Sequence, residues 1–240
     1  MCTVTYIPKQ GLSFILTSNR DEAISRETLP PDFYKENGVE MLYPKDKLAG
    51  GTWIGLSDKN RLVCLLNGAF TNHIRKSKYR MSRGKIVSEL LQTDNFLDFL
   101  QHYDLNQVEP FTVLTIDWND DTLKVYELIW DETRRHLRKL DTAAFHIWSS
   151  STLYADSMKQ CRREWFEEWK DKGDFSQDSI IDFHLHAGCG DKNIDLQIDR
   201  GTLKTVSVSS VCKSPDELTM CYRDLVANTL HKKTFETISL

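Results

Sequence analysis

The chain has 240 residues, 40% of them hydrophobic, enough for one large or two small domains with a substantial buried core. Lys and Arg number 31 against 35 Asp and Glu, a formal charge of −4. That balance lacks the basic excess of a nucleic-acid binder and argues against adhesion to anionic membranes.

No stretch reaches the apolar length of a membrane-spanning helix, so no membrane insertion is expected. Pro8, Lys9 and Gly11 interrupt the first twenty residues, leaving no signal-peptide hydrophobic region. N-myristoylation needs Gly at position 2, where Cys stands. The six cysteines, at 2, 64, 161, 189, 212 and 221, form no C-x-x-C pair. A zinc ribbon or thioredoxin-like motif is therefore unsupported, and a reducing, cytoplasmic location is the simplest expectation.

In chain order, Cys2 to Ile7 and Leu12 to Ser18 are apolar or β-branched runs around a turn at Lys9-Gln10-Gly11, which predicts a hairpin. Residues 23–48, interrupted by Pro30, Pro31 and Pro44, read as a long functional loop. Strand character resumes over Gly51–Leu56 and Leu62–Leu66. Ser82 predicts a helix N-cap, with Ile86, Val87, Leu90 and Leu91 on one face, and Asp94 a second cap. Strands are expected at Phe111–Ile116, Leu123–Ile129, Leu137–Leu140 and Phe145–Trp148, with a turn at Asn119-Asp120-Asp121. A helix over Asp156–Trp169 carries Met158, Cys161, Trp165 and Trp169 as its core stripe, and a shorter one covers Ser179–Leu185. Strands at Thr202–Val211 and Leu218–Leu225 close the chain. This order lacks the βαβ rhythm of a parallel sheet and predicts a single α+β domain of antiparallel sheets over residues 1–240.

Cys2 is the candidate nucleophile. Removal of Met1 by a methionine aminopeptidase, which tolerates Cys as the next residue, would leave a thiol and a free α-amine on one residue. An α-amine titrates near ~7.7–8.0 and a thiol near ~8.5, so the neutral amine can accept the thiol proton.

Asn19-Arg20-Asp21-Glu22, placed just past the second strand, spells NRDE. With Met1-Cys2, Gly50-Gly51-Thr52-Trp53-Ile54-Gly55, Leu65-Leu66-Asn67 and Ser82-Arg83-Gly84, it resembles the NRDE family, also called the transport and Golgi organisation family. These motifs lie within about the first ninety residues. Trp148-Ser149-Ser150-Ser151 matches only loosely, where the family tends to have Ser-Asn-Ser. The family resembles cysteine N-terminal nucleophile (Ntn) hydrolases: penicillin V acylase, bile-salt hydrolase and acid ceramidase. That resemblance implies a four-layer αββα sandwich, Cys2 as nucleophile, Asp21 on the α-amine and Asn67 near the oxyanion. Those amidases place an Arg three residues before the Asp. Here Ser18 stands there and Arg20 is the nearest guanidinium. Because strand neighbours point to opposite faces, Arg20 and Asp21 can both face Cys2 only if the strand ends or bulges by residue 20.

Arg20 or Arg83 would supply a cation beside the amine, or grip a substrate carboxylate or phosphate. Asn19, Trp53, Arg83 and Ser150 are candidate substrate-binding residues, although Trp53 also reads as core. Asn67-Gly68 is a turn signal as well as an oxyanion donor. His184, His186 and Cys189 offer three ligands with no fourth, so no metal and no cofactor are expected. His73, Arg75, Lys76, Lys78 and Arg80 form a basic run, either solvated or set against an anionic ligand. The leading function is hydrolysis of a non-peptide amide, thioester or ester, with a small-molecule acyl substrate and specificity set by loops 23–48 and 68–82. The alternative is a non-enzymatic carrier of a hydrophobic ligand such as haem or acyl-coenzyme A. A catalytically dead scaffold is a third reading.

Overall fold

Strand β1 (Thr3–Pro8) pairs with β2 (Phe14–Ala23), β3 (Thr28–Glu36) with β4 (Val39–Asp46), and β5 (Ile54–Ser57) with β6 (Arg61–Asn67), each as an antiparallel hairpin. Helices α1 (Arg83–Gln92) and α2 (Phe96–His102) precede β7 (Phe111–Asp117), β8 (Lys124–Trp130) and β9 (Arg135–Leu140). Then come β10 (His146–Ser149), α3 (Asp156–Asp171), α4 (Gln177–His186), the two-residue β11 (Asp199–Arg200), β12 (Leu203–Lys213), β13 (Leu218–Asp224) and β14 (Thr229–Thr234). This computed structural model describes residues 3–236. Among them no helix is long and apolar enough to cross a membrane.

The chain divides into two units, Met1–Arg26 with Ala143–Thr234 and Glu27–Thr142 with Phe235–Leu240. Among the described residues each holds a seven-stranded antiparallel sheet and two helices, so the class is α+β as expected. In the first unit the strand order is β10-β1-β2-β12-β13-β14, with β11 on β12. Alternation places Ile7 and Ile15 on the helix side, where they pack with Phe166 and Trp169 of α3 and Ile180 and Phe183 of α4. In the second unit β3 to β9 follow one another as a meander. Met41, Tyr43, Val63 and Leu65 meet Ile86, Val87, Leu90 and Leu91 of α1 in one core, as the helical spacing requires.

Several expectations are corrected. Residues 23–48 are no loop: β3 and β4 turn at Asn37-Gly38, both with positive φ. Asn-Gly between apolar strands is a hairpin signal, outweighed in the sequence reading by three prolines. Pro30 and Pro31 fall in the register shift between Leu29 and Asp32 on an edge strand, where a missing N–H breaks little of the ladder. β2 runs on to Ala23, so Asn19-Arg20-Asp21-Glu22 lies inside the strand instead of past it. The second helix is capped by Asn95, not Asp94, through a bond from the Asp98 N–H. The buried centre of α3 is Arg162, Phe166 and Trp169, while Met158, Cys161 and Trp165 are partly covered. Strand β14, which carries Lys232 and Lys233, has no apolar alternation to announce it.

Two of the matched motifs meet in the second unit. A β-carbon on Gly51 would lie 3.0 Å from the backbone carbon of Gly84, and one on Gly84 would lie 2.9 Å from the Thr52 carbonyl oxygen. Both glycines are needed for this close approach, which seats the start of α1 against the segment leading into β5. Gly84→Ala should therefore lower stability by about 1–3 kcal/mol. The check is the urea midpoint, and an unchanged midpoint would refute the contact.

Candidate functional site

In the first unit, β2 sits between β1 and β12, so its polar residues lie in the middle of a sheet. Thr3 is paired with Asn19, Thr5 with Thr17, and Thr205 with Asp21. The register jumps between Thr205 and Ser207 opposite the consecutive pair Asp21 and Arg20. The bulge therefore belongs to β12, and β2 keeps its alternation. Asn19 and Asp21 share the helix-side face, whereas Ser18 and Arg20 share the other with Val4 and Leu16.

Asp21 is buried and hydrogen-bonded at both oxygens. The Tyr154 hydroxyl donates to Oδ2, and the Thr205 hydroxyl donates to Oδ1 at 2.5 Å. Thr205 Oγ1 in turn accepts from the Ile198 N–H at 2.9 Å, so its proton is aimed at the carboxylate. Tyr154 follows the turn at Ser150, whose carbonyl accepts from the Tyr154 N–H at 3.2 Å and whose hydroxyl bonds Thr152 Oγ1 at 2.9 Å. The Arg162 guanidinium stacks 3.4 Å from the Tyr154 ring centroid. It donates to Thr3 Oγ1 at 2.7 Å, to the Asp195 carbonyl at 2.7 Å and to the Ile194 carbonyl at 3.1 Å. Arg162 is fully buried. Carbonyl dipoles and an aromatic face, one residue removed from Asp21, hold its charge.

Asn19 donates from Nδ2 to the Leu196 carbonyl at 2.8 Å and to the His184 carbonyl at 3.3 Å. Its Oδ1 therefore accepts, and His184 Nδ1 must carry the proton in their 2.5 Å contact. His184 Nε2 then accepts from Thr5 Oγ1 at 2.8 Å. The imidazole is neutral: burial, with the nearby Arg162 charge, pushes its pKa down to about 3. The Asn19 amide is thus engaged in bracing α4 against β2. His186 is exposed and paired with Asp182 at 2.8 Å, and the exposed Cys189 gives its N–H to Asp195. Among the described residues no three His, Cys, Asp or Glu side chains gather into a metal-binding group.

The His184 shift has a sign that can be read in solution. Its folded pKa lies below the unfolded value of ~6.5, so the unfolded chain takes up the proton first as pH falls. Stability is full above the unfolded value and erodes toward the folded one. Between pH 7.5 and 5 the parent protein should lose about 2 kcal/mol more than His184→Gln, by urea unfolding. Equal losses would show that His184 is not buried neutral.

Arg20 is buried on the opposite face and donates to the Arg26 carbonyl at 3.3 Å. Cys2 lies outside the described residues. In the second unit, Asn67 ends β6 opposite Phe111 and precedes Gly68, whose φ of 85° makes the turn. Trp53 is buried, and its carbonyl accepts from the Leu65 N–H at 2.8 Å. Arg83 pairs with Glu109 at 3.2 Å and donates to the Pro110 carbonyl at 3.1 Å. His73 and Arg75 approach the same carboxylate at 3.3 and 3.7 Å. Asn19, Asp21 and the Ser150 turn thus share one network, and Arg83 joins the Glu109 cluster.

A family model described as Transport and Golgi organisation 2 matches residues 1–211. The chain belongs to this family. A mouse Transport and Golgi organization 2 homolog is 34% identical over 95 residues, 37% of this chain and 32% of that protein. The chain thus matches about a third of the length of the curated relative. Among solved structures, a Caenorhabditis elegans ortholog of N-acylethanolamine-hydrolyzing acid amidase is similar with a TM-score of 0.62 at 15% identity, over 90% of this chain and 94% of that one. Penicillin V acylase from Agrobacterium tumefaciens gives 0.60 at 6% identity, over 98% and 86%. At such identities the likeness is one of fold, and that fold is the one these Ntn amidases share. Within the family's NRDE motif, Asp21 is held by Tyr154 and Thr205, two partners that sequence reasoning missed. Arg162 left a signal: it lies four residues from both Met158 and Phe166, on the buried stripe of α3.

Proposed function

We propose that this family member is a cysteine Ntn hydrolase acting on a non-peptide amide, thioester or ester of a small acyl substrate. The observation that carries the reading is Asp21, a buried carboxylate in mid-sheet whose two oxygens are oriented by Tyr154 and Thr205. Its fold is shared with acylases and amidases. A side chain leaves a strand toward one face while the backbone nitrogen stays in the sheet. The reading therefore needs the Cys2 α-amine at the Asp21 carboxylate and Sγ on the Arg20 face, and the unbroken alternation of β2 suits that division.

With Met1 removed, the α-amine takes the thiol proton and Sγ attacks the acyl carbon. The tetrahedral intermediate collapses as the leaving nitrogen receives that proton, which leaves a thioester on Cys2. The amine then deprotonates water, whose attack frees the carboxylic acid and restores the thiol. Within the first unit, Arg20 is assigned the cation that keeps the amine neutral.

The experiment is intact-mass analysis of the purified protein before and after a panel of acyl thioesters and N-acyl amino acids. The reading expects a chain lacking Met1 and one acyl adduct per molecule, mapped to Cys2. Turnover by a chain that retains Met1 would overturn it. Reversible ligand uptake without any adduct would favour the carrier of haem or acyl-coenzyme A.

A further inference from the structure

We infer that one end of the second unit is a docking surface for an anionic lipid bilayer, built from two loops with apolar tips among cations. Ile74 is 94% exposed and Leu48 84%, the two most exposed large apolar side chains among the described residues, and Phe70 is 52% exposed. Single exposed apolar side chains are ordinary on a protein surface, so the company these keep decides their meaning. From Gly68 to Ser82 the sequence has no Asp or Glu and four Lys and Arg, in a chain of net charge −4.

Within that run, Ile74 is followed by Arg75, Lys76, Lys78 and Arg80, all exposed. Arg75 is 77% exposed and 3.7 Å from Glu109, and Lys78 makes no ion pair among the described residues. Lys76 and Arg80 are tied at the loop's flanks to Glu132 at 2.7 Å and Asp104 at 3.3 Å. Phe70 packs edge-on against His136, which anchors the start of the loop.

Leu48 stands on a rigid turn. Its own N–H and that of Ala49 donate to Asp46 Oδ1 at 3.1 and 2.8 Å, and Gly50 completes the turn with φ of 72°. Lys45 and Lys47 flank it, Lys45 stacked 5.0 Å from the Tyr34 ring centroid and Lys47 paired with Glu27. The backbone contact of Gly51 with Gly84 brings the roots of both loops together. Free phosphate or a small anion would use the cations but has no need of Ile74, Leu48 and Phe70. A bilayer uses both: cations at the headgroup level and apolar tips in the acyl boundary. Against the negative charge of the whole chain, the Ile74 loop itself carries cations and no carboxylate.

The test is co-sedimentation of the full chain with phosphatidylcholine vesicles lacking or containing about 30% phosphatidylserine. Partitioning should rise about tenfold with the anionic lipid and fall about tenfold between 0.05 and 0.5 M salt. Ile74→Asp with Leu48→Ser, and separately Arg75→Glu with Lys78→Glu, should each reduce it by about fivefold or more, with unchanged thermal midpoints because these side chains are exposed. Inorganic phosphate at the ionic strength of a chloride control should compete no better than chloride. Equal binding to both vesicles, no binding, loss of binding to phosphate beyond the chloride control, or indifference to the apolar pair would each overturn the inference. None of these outcomes bears on the acyl-transfer reading, which rests on the first unit.

Discussion

Cys2→Ala abolishes turnover, with kcat falling at least about 10³-fold, while the Kd for a non-hydrolysed acyl ligand moves by less than about threefold. One residue supplies the nucleophile and, through its backbone, the base, so no neighbouring group can substitute for the sulfur. Cys2→Ser separates the parts. Ser permits the same Met1 removal and keeps the amine, yet its hydroxyl is a far weaker acid than a thiol, so the acyl adduct should vanish with it. A variant that keeps its rate after either change would remove the hydrolase reading altogether. Single-turnover kinetics with the thioester panel is the measurement, with binding followed separately by calorimetry.

Arg162→Met should cost about 3–5 kcal/mol of stability, the largest single-residue effect expected in the first unit. The methionine fills much of the space but leaves the Ile194 and Asp195 carbonyls and Thr3 Oγ1 without their donor in a fully buried site. Each orphaned group is left with its desolvation cost uncompensated, and the Tyr154 ring loses its cation. For a chain of this size the thermal midpoint should fall by about 10 °C. Arg162→Lys keeps the charge but not the fork, and should fall between the two. A midpoint within about 2 °C of the parent would show that this site relaxes around the loss.

The sequence disclosed more of the elements than of their partners. The N-cap at Ser82, the stripe of Ile86, Val87, Leu90 and Leu91, and the turn at Asp120-Asp121 follow from local periodicity and backbone chemistry, and all stand. The hairpin of β3 and β4 was hidden because proline is read as a breaker, yet at an edge strand it breaks little. The NRDE segment was displaced past its strand because charged residues seldom continue a buried one. Here Asp21 and Asn19 are tolerated in mid-sheet because their hydrogen-bonding atoms find partners across the fold.

What the sequence by itself determined is the α+β class, the family and the presence of Cys2 behind Met1, since these are carried by short motifs and by the period of the apolar residues. What only the tertiary structure decided is which way Asn19, Arg20 and Asp21 point, and what holds them. Tyr154 and Thr205 stand 133 and 184 residues from Asp21 along the chain. A local pattern cannot encode that separation, because strand register and a bulge in a partner strand exist only after the chain has returned to itself.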